Sequence, residues 1–330
     1  MTTRSRQRAA TLTAPQTVRV TETALPAPAD DEVRVRLEGC GICASNLPLW
    51  EGRPWFEYPR AAGAPGHEGW GVVDAVGAGV RDLQPGERVA LISGNAYAEF
   101  DVAPRRAVVQ LPGELDGLPF PGEPLGCAMN IFERTDVRPG HSVAIVGAGF
   151  LGLLLTQLAS KAGAHVVTLS RRDCALRFAA VAGADTTVQA DSLQSAIGRA
   201  LQETNGRGYD RVIETGGLQS TLDLAAALVA EYGRLIIAGY HQDGLRTVDL
   251  QQWNWRAIDV VNAHERAVER YASGVERAVA AVLEGRIDPF PLLTHEVPLE
   301  ALGAGFALAQ TRPDGFMKAW VRAGSYERAA

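Results

Sequence analysis

The pattern of apolar and polar positions divides the chain into three stretches. Residues 1–122 carry short runs in which apolar residues recur at every second position. Residues 32–37 (EVRVRL), 71–76 (GVVDAV) and 88–92 (RVALI) are the clearest, and turn residues at 77–79 and 84–86 separate them. A period of two is the signature of strands with one buried face, so this stretch predicts a β-rich, partly barrel-like domain.

From 123 to 264 the pattern changes to short continuous apolar runs alternating with longer helical ones. Residues 142–146 (SVAIV) and 165–169 (HVVTL) read as buried strands, with helices over 151–161 and 173–181, the second opening on Asp173 as N-cap. Strand runs at 211–214, 234–238 and 259–262 follow. Such alternation predicts a parallel, doubly wound sheet. Beyond 264 the pattern predicts a helix over 267–283, a segment at 292–297, a helix over 299–308 and a last strand near 317–322. The β-rich start needs a partner to close its sheet, so the tail is assigned back to it. The expected fold is α/β, with 1–122 and 265–330 forming one β-rich domain and 123–264 inserted as a Rossmann domain.

Composition narrows the function classes. With 46% hydrophobic and 21% charged residues, 330 residues can bury a full core without disulfide or metal staples. A net charge of −6 disfavours nucleic acid and anionic membranes as partners. Cys40, Cys43, Cys127 and Cys174 are too few and too irregular for a secreted disulfide framework. Arg4, Arg6 and Arg8 are not followed by the apolar stretch of a signal peptide, and no run reaches the ~20 apolar residues that span a bilayer. A cytoplasmic protein with a small-molecule substrate is expected. Lys161 and Lys318 are the only lysines, which reads as genomic base composition.

Gly147-Ala148-Gly149-Phe150-Leu151-Gly152 fits G-x-G-x-x-G, directly after a predicted strand and opening a predicted helix. Gly147 permits the tight turn, Gly149 lets the backbone approach a pyrophosphate, and Gly152 lets helix and strand pack closely. Gly239, after the strand at 234–238, is placed on the same cofactor surface. The end of the second strand selects the dinucleotide. A carboxylate there would accept from the ribose 2′-hydroxyl of NAD, but this chain carries Ser170-Arg171-Arg172. Guanidinium groups bind a 2′-phosphate, so the expected cofactor is NADP(H) rather than NAD.

A second constellation lies in the β-rich stretches. Cys43, His67, Glu68 and Glu123 are donors suited to zinc. The stretches that hold them, GCGICASN (39–46), PGHEGWGVVDAVGAGV (65–80), QPGERVA (84–90) and GEPLGCAMN (122–130), together with VGAGFLG (146–152), resemble the zinc-type medium-chain alcohol dehydrogenase superfamily, polyol dehydrogenase branch, over nearly the whole chain. The resemblance implies a GroES-like catalytic domain, a Rossmann cofactor domain with the active site between them, and hydride transfer between a nicotinamide and an alcohol or carbonyl carbon. It implies Cys43, His67 and Glu123 as zinc ligands, Glu68 as a carboxylate that ligates or exchanges with water, and Ser45 as the hydroxyl that passes the proton. Cys127, one helical turn beyond Glu123, is an alternative ligand. A homodimer or homotetramer is implied by the same analogy.

Three departures stand out. Asn46 occupies the place of an aspartate that orients the zinc-bound histidine, which lowers basicity behind the metal. Pro48 stands near the place of a relay histidine. The lobe that holds a structural zinc is missing, so one zinc per chain is expected. Trp50, Trp55 and Phe56 point to a bulky or aromatic substrate, or else anchor their loop; Trp253 and Trp255 pose the same choice between cleft and oligomer interface. His264 falls near the nicotinamide by analogy. Two other readings remain: a zinc-independent NADPH-dependent reductase of an activated C=C or C=N bond, and a non-catalytic NADPH-binding protein.

Overall fold

The computed structural model of the protein describes residues 4–324. The chain forms two compact units. One runs from the start to Gly126 and takes in Arg266–Leu283 and the segment from Pro289 onward; the other comprises Cys127–Glu265 and Glu284–Asp288. Residues 325–330, placed in the β-rich domain from sequence, lie outside the described residues.

In the first unit β1 (Arg6–Ala14) and β2 (Thr17–Ala24) form an antiparallel hairpin. There follow β3 (Glu32–Gly41), α1 (Leu47–Glu51), β4 (Gly69–Val76), β5 (Arg88–Leu91), β6 (Phe100–Pro104), β7 (Val108–Gln110) and the start of α2 (Gly122–Thr135). The second unit holds β8 (Ser142–Val146), α3 (Phe150–Lys161), β9 (His165–Ser170), α4 (Asp173–Val181), β10 (Thr186–Gln189), α5 (Leu193–Gln202), β11 (Tyr209–Glu214), α6 (Gln219–Leu228), β12 (Val229–Ile237), α7 (Leu250–Trp255) and β13 (Asp259–Asn262). The chain then returns to the first unit with α8 (Val268–Leu283), β14 (His295–Pro298), α9 (Leu302–Thr311) and β15 (Ala319–Arg322).

The first unit is built on a seven-stranded sheet ordered β14-β15-β3-β4-β5-β7, with β6 also paired to β3. The returning tail supplies two of these strands: β15 pairs antiparallel with the end of β3. Leu12, Val33, Val35, Leu37, Tyr97 and Phe306 fill the core. Trp50 belongs there too. It is 6% exposed and stacks on Phe306 with ring centroids 5.1 Å apart, so the indole is a core anchor and not a substrate contact. Phe56 packs partly buried against the same core, while Trp55 is exposed.

The second unit is a six-stranded parallel sheet in the order β10-β9-β8-β11-β12-β13. Strand order therefore reverses between β8 and β11, the switch point at which such sheets bind ligands. Two local expectations are corrected. Asp173 is not the N-cap of α4: Arg172 holds the cap position and Asp173 sits in the first turn, where a carboxylate still meets the positive helix end. The helix predicted from 299 opens as a 3-10 turn, Leu299–Ala301, before α9 begins.

Candidate metal and dinucleotide sites

In the first unit three strand ends converge. β3 runs inward and stops at Gly41; β4 and β15 start beside it and run outward. The register pairs Cys40 with Gly69 on one side and with Val321 on the other. Backbone hydrogen bonds extend this alignment: Gly41 N–H donates to the Glu68 carbonyl at 3.1 Å and Ile42 N–H to the Ala319 carbonyl at 2.9 Å. Residues just after β3 and just before β4 and β15 must therefore meet, namely Cys43, His67 with Glu68, and Lys318.

Donor atoms of Cys43, His67 and Glu68 lie within 4.8 Å of one another, the one such group among the described residues. Glu123, in the first turn of α2, is outside that group, although its charge reaches His67. Cys127, one turn further along α2, falls in the second unit. The structure thus gathers three of the four candidate ligands, Cys43, His67 and Glu68, with the Glu123 charge also acting on His67.

His67 Nδ1 lies 2.9 Å from the Pro65 carbonyl oxygen, which can only accept, so Nδ1 carries a proton and Nε2 is the nitrogen that could hold a metal. Burial alone would lower the imidazole pKa, but the hydrogen bond and charge of Cys43, with the charges of Glu123 and Glu68, push it up to about 10. Surroundings that hold a proton so firmly favour a cation. A thiol, an imidazole and a carboxylate are also the donor types of zinc, so the residues fit that metal.

Glu68 is fully buried and paired with the equally buried Lys318. Lys318 Nζ lies 2.9 Å from Oε1 and 2.7 Å from Oε2, and donates to the Ile42 carbonyl at 3.3 Å. Desolvation pulls the Lys318 pKa down, but Glu68, and behind it Cys43 and Glu123, raise it above its ordinary value. Oε2 has the ammonium nearby yet no hydrogen bond of acceptable geometry, so this oxygen keeps coordinating capacity. Gly41 makes room for the pair, because a Cβ there would overlap Oε2.

Ser45 Oγ donates to Cys43 Sγ at 3.1 Å, and lies 3.5 Å from Asn46 Oδ1. Asn46 is buried but makes no hydrogen bond to His67. Its Nδ2 donates to the Tyr97 hydroxyl at 3.0 Å and to the Pro65 carbonyl at 3.4 Å. Pro48 is buried in the first turn of α1.

In the second unit the glycine turn follows β8 at the switch point. Gly147 has φ +114°, a conformation L side chains rarely adopt, and a Cβ there would press on Thr215 Oγ1. A Cβ on Gly152 would overlap the Gly147 carbonyl, whereas at Gly149 it would meet open space. Gly149 is the N-cap of α3 and makes no side-chain cap hydrogen bond, so the positive end of the helix opens onto the glycine turn. This is the cradle a pyrophosphate requires. Ser170 ends β9, where its Oγ accepts from Arg172 N–H at 3.2 Å. Arg171 is exposed, and Gln189 of the neighbouring strand donates to its carbonyl at 2.8 Å. Gly239 follows β12 packed against Glu214 and Gly217, so a steric reason for glycine exists there irrespective of ligand. His264, after β13, is exposed and stacks on Tyr240 at 5.2 Å.

Lys318 and Tyr97 were not legible as site residues. Lys318 carried one unused signal: it is one of two lysines in a chain that otherwise uses arginine. Tyr97 carried none, since its partners are fixed by chain crossings.

Residues 29–113 match the alcohol dehydrogenase GroES-like domain, and residues 151–281 match the zinc-binding dehydrogenase domain. Galactitol 1-phosphate 5-dehydrogenase of Escherichia coli K12 is 30% identical over 261 residues, covering 68% of this chain and 73% of that one. Human sorbitol dehydrogenase is 26% identical over 319 residues, 87% of this chain and 88% of its own. Among solved structures, a zinc-binding dehydrogenase of Sinorhizobium meliloti 1021 bound to NADP superposes with a TM-score of 0.82 at 26% identity, covering 97% of this chain and all of its own.

Proposed function

The chain belongs to the zinc-type medium-chain alcohol dehydrogenase family, oxidoreductases that use a nicotinamide cofactor, and from that premise we propose that it transfers hydride between NADP(H) and an alcohol or carbonyl substrate at one zinc held by the first unit. The observation that carries the reading is the joint presence of the Cys43, His67 and Glu68 donor group and the Gly147–Gly152 cradle.

Cys43, His67 and Glu68 would hold the ion, with Glu123 as the further ligand that the resemblance implies and whose charge acts on His67. The zinc supplies Lewis acidity toward the substrate oxygen, and the nicotinamide supplies or takes the hydride. Ser45 holds its hydroxyl against the Cys43 sulfur, where it can pass a proton to or from the substrate oxygen. Lys318 balances part of the negative charge of the ligand set. Galactitol 1-phosphate and sorbitol, named for the relatives, make a polyol or polyol phosphate the first substrate class to assay. Of the loop aromatics only Trp55 stays exposed to meet a bulky substrate. The deciding experiment pairs metal analysis with turnover across polyols and carbonyl compounds. One zinc per chain and zinc-dependent NADP(H) turnover are expected; full turnover in metal-free protein overturns the proposal.

The preference for NADP(H) rests on Ser170, Arg171 and Arg172 at the end of β9, with no carboxylate among them. A charge-assisted hydrogen bond is worth about 1.5–3 kcal/mol, so R171A/R172A should weaken NADPH binding by roughly ten- to a hundredfold. NADH binding should stay nearly constant. Titration of both cofactors by fluorescence checks this, and an equal loss for both would contradict it.

We further propose a homodimer or homotetramer. Parallel sheets are normally covered on both faces, yet β13 has a single neighbour, no residue of α7 is buried, and Trp255 is 86% exposed. Trp253, by contrast, packs against the core. A single-chain mass by light scattering would remove this part of the reading.

A further inference from the structure

An aspartate at position 46 would act by accepting a hydrogen bond from the metal-ligating histidine. The structure gives that task to the Pro65 carbonyl, which takes the His67 Nδ1 proton at 2.9 Å. Asn46 reaches the same oxygen through Nδ2 at 3.4 Å. A carbonyl oxygen has two lone pairs and no proton, so the Asn46 atom facing it must be the amide nitrogen. The second Nδ2 proton goes to the Tyr97 hydroxyl at 3.0 Å, and that hydroxyl sits 3.3 Å from the Gly41 carbonyl, where it donates. Tyr97 is fully buried with its ring edge-on to Phe306, so its hydroxyl has a fixed address. The amide oxygen is turned to Ser45 Oγ at 3.5 Å.

We propose that Asn46 and Tyr97 are positioning residues for His67: they fix the Pro65 carbonyl in the orientation that keeps the proton on Nδ1 and presents Nε2 to the metal. Asparagine is then required as a double donor and is not a weakened aspartate. A carboxylate of the same shape would face two oxygens, those of Pro65 and Tyr97, and could satisfy the second only if the hydroxyl abandoned Gly41. It would also add a buried negative charge one hydroxyl away from Cys43. The same chain of bonds ends at Gly41, against which Glu68 lies, and at Ser45, so one network sets three neighbours of the metal.

This inference rests on Cys43, His67 and Glu68 being a metal site, and the test separates the two. Zinc affinity by chelator competition and the cobalt(II) d–d spectrum are measured on the full chain, for wild type, Asn46→Asp and Tyr97→Phe. Outer partners of metal-bound histidines typically change affinity by about 10–100-fold, and a loss in that range is expected for both variants, with altered cobalt bands. Zinc affinity equal to or above wild type in Asn46→Asp, or unchanged affinity and bands in Tyr97→Phe, overturns it. Should Asn46→Asp fail to fold, Tyr97→Phe decides alone, since it removes only a hydroxyl. A wild-type protein that binds no stoichiometric metal defeats the site reading itself.

Discussion

Replacing His67 with Ala is expected to abolish both bound zinc and turnover while leaving NADPH binding intact. The imidazole is the one nitrogen donor of the group, and the Nδ1 bond to Pro65 leaves its Nε2 to face the metal. Without it only the sulfur and the carboxylate remain beside the Glu123 charge, and an incomplete set cannot hold the ion in competition with water. Lewis-acid stabilisation is worth several kcal/mol, and each 1.36 kcal/mol is tenfold in rate, so turnover should fall by about a thousandfold or more. The dinucleotide cradle belongs to the second unit, so NADPH titration should be unchanged. Metal content, kcat and the NADPH Kd on one preparation test all three parts. Retained turnover at background zinc would favour a zinc-independent reductase; lost NADPH binding would mean the damage is not local.

What was legible in the sequence was what local rules control. The Gly147–Gly152 turn announces itself because its glycines answer steric demands within a few residues, a positive φ and a helix packed onto its own strand. β8 and β13 carry the predicted bounds because short apolar runs flanked by turns leave little choice. The resemblance placed Cys43, His67 and Glu68, but what stands behind them was not readable. The direction of the Asn46 amide depends on a carbonyl at Pro65 and a hydroxyl at Tyr97, each brought in by another strand crossing. Trp50 stayed open between substrate contact and loop anchor for a related reason. Its neighbours in sequence border a loop, but Phe306, brought in by the tail, takes the indole into the core. Lys318 lies 250 residues from its partner Glu68, and only the pairing of β15 with β3 makes them meet.

That ion pair gives the largest expected effect on stability. In Lys318→Met the apolar chain fills the space of the lysine stem, but Glu68 is left fully buried without its counter-charge. Breaking a buried pair from one side costs about 3–5 kcal/mol, because the remaining charge keeps its desolvation penalty. For a unit of this size that corresponds to roughly 6–20 °C in Tm. Removing both charges in Glu68→Gln/Lys318→Met should recover most of the loss, since the penalty belongs to the unpaired carboxylate. The pH dependence has a defined sign. Lys318 titrates higher in the folded protein than its ordinary value of 10.5, so its stabilisation is complete below that value and disappears as pH rises through the folded one. The gap between wild type and Lys318→Met should therefore close on the alkaline side as the ammonium loses its proton. Added zinc should narrow it at neutral pH, because an unpaired Glu68 next to Cys43 and His67 gains a cation to face. Thermal melts of the three proteins across pH, with and without zinc, measure this. A single variant as stable as wild type, or a double variant no better than the single, would show that the ammonium does not hold the carboxylate in place.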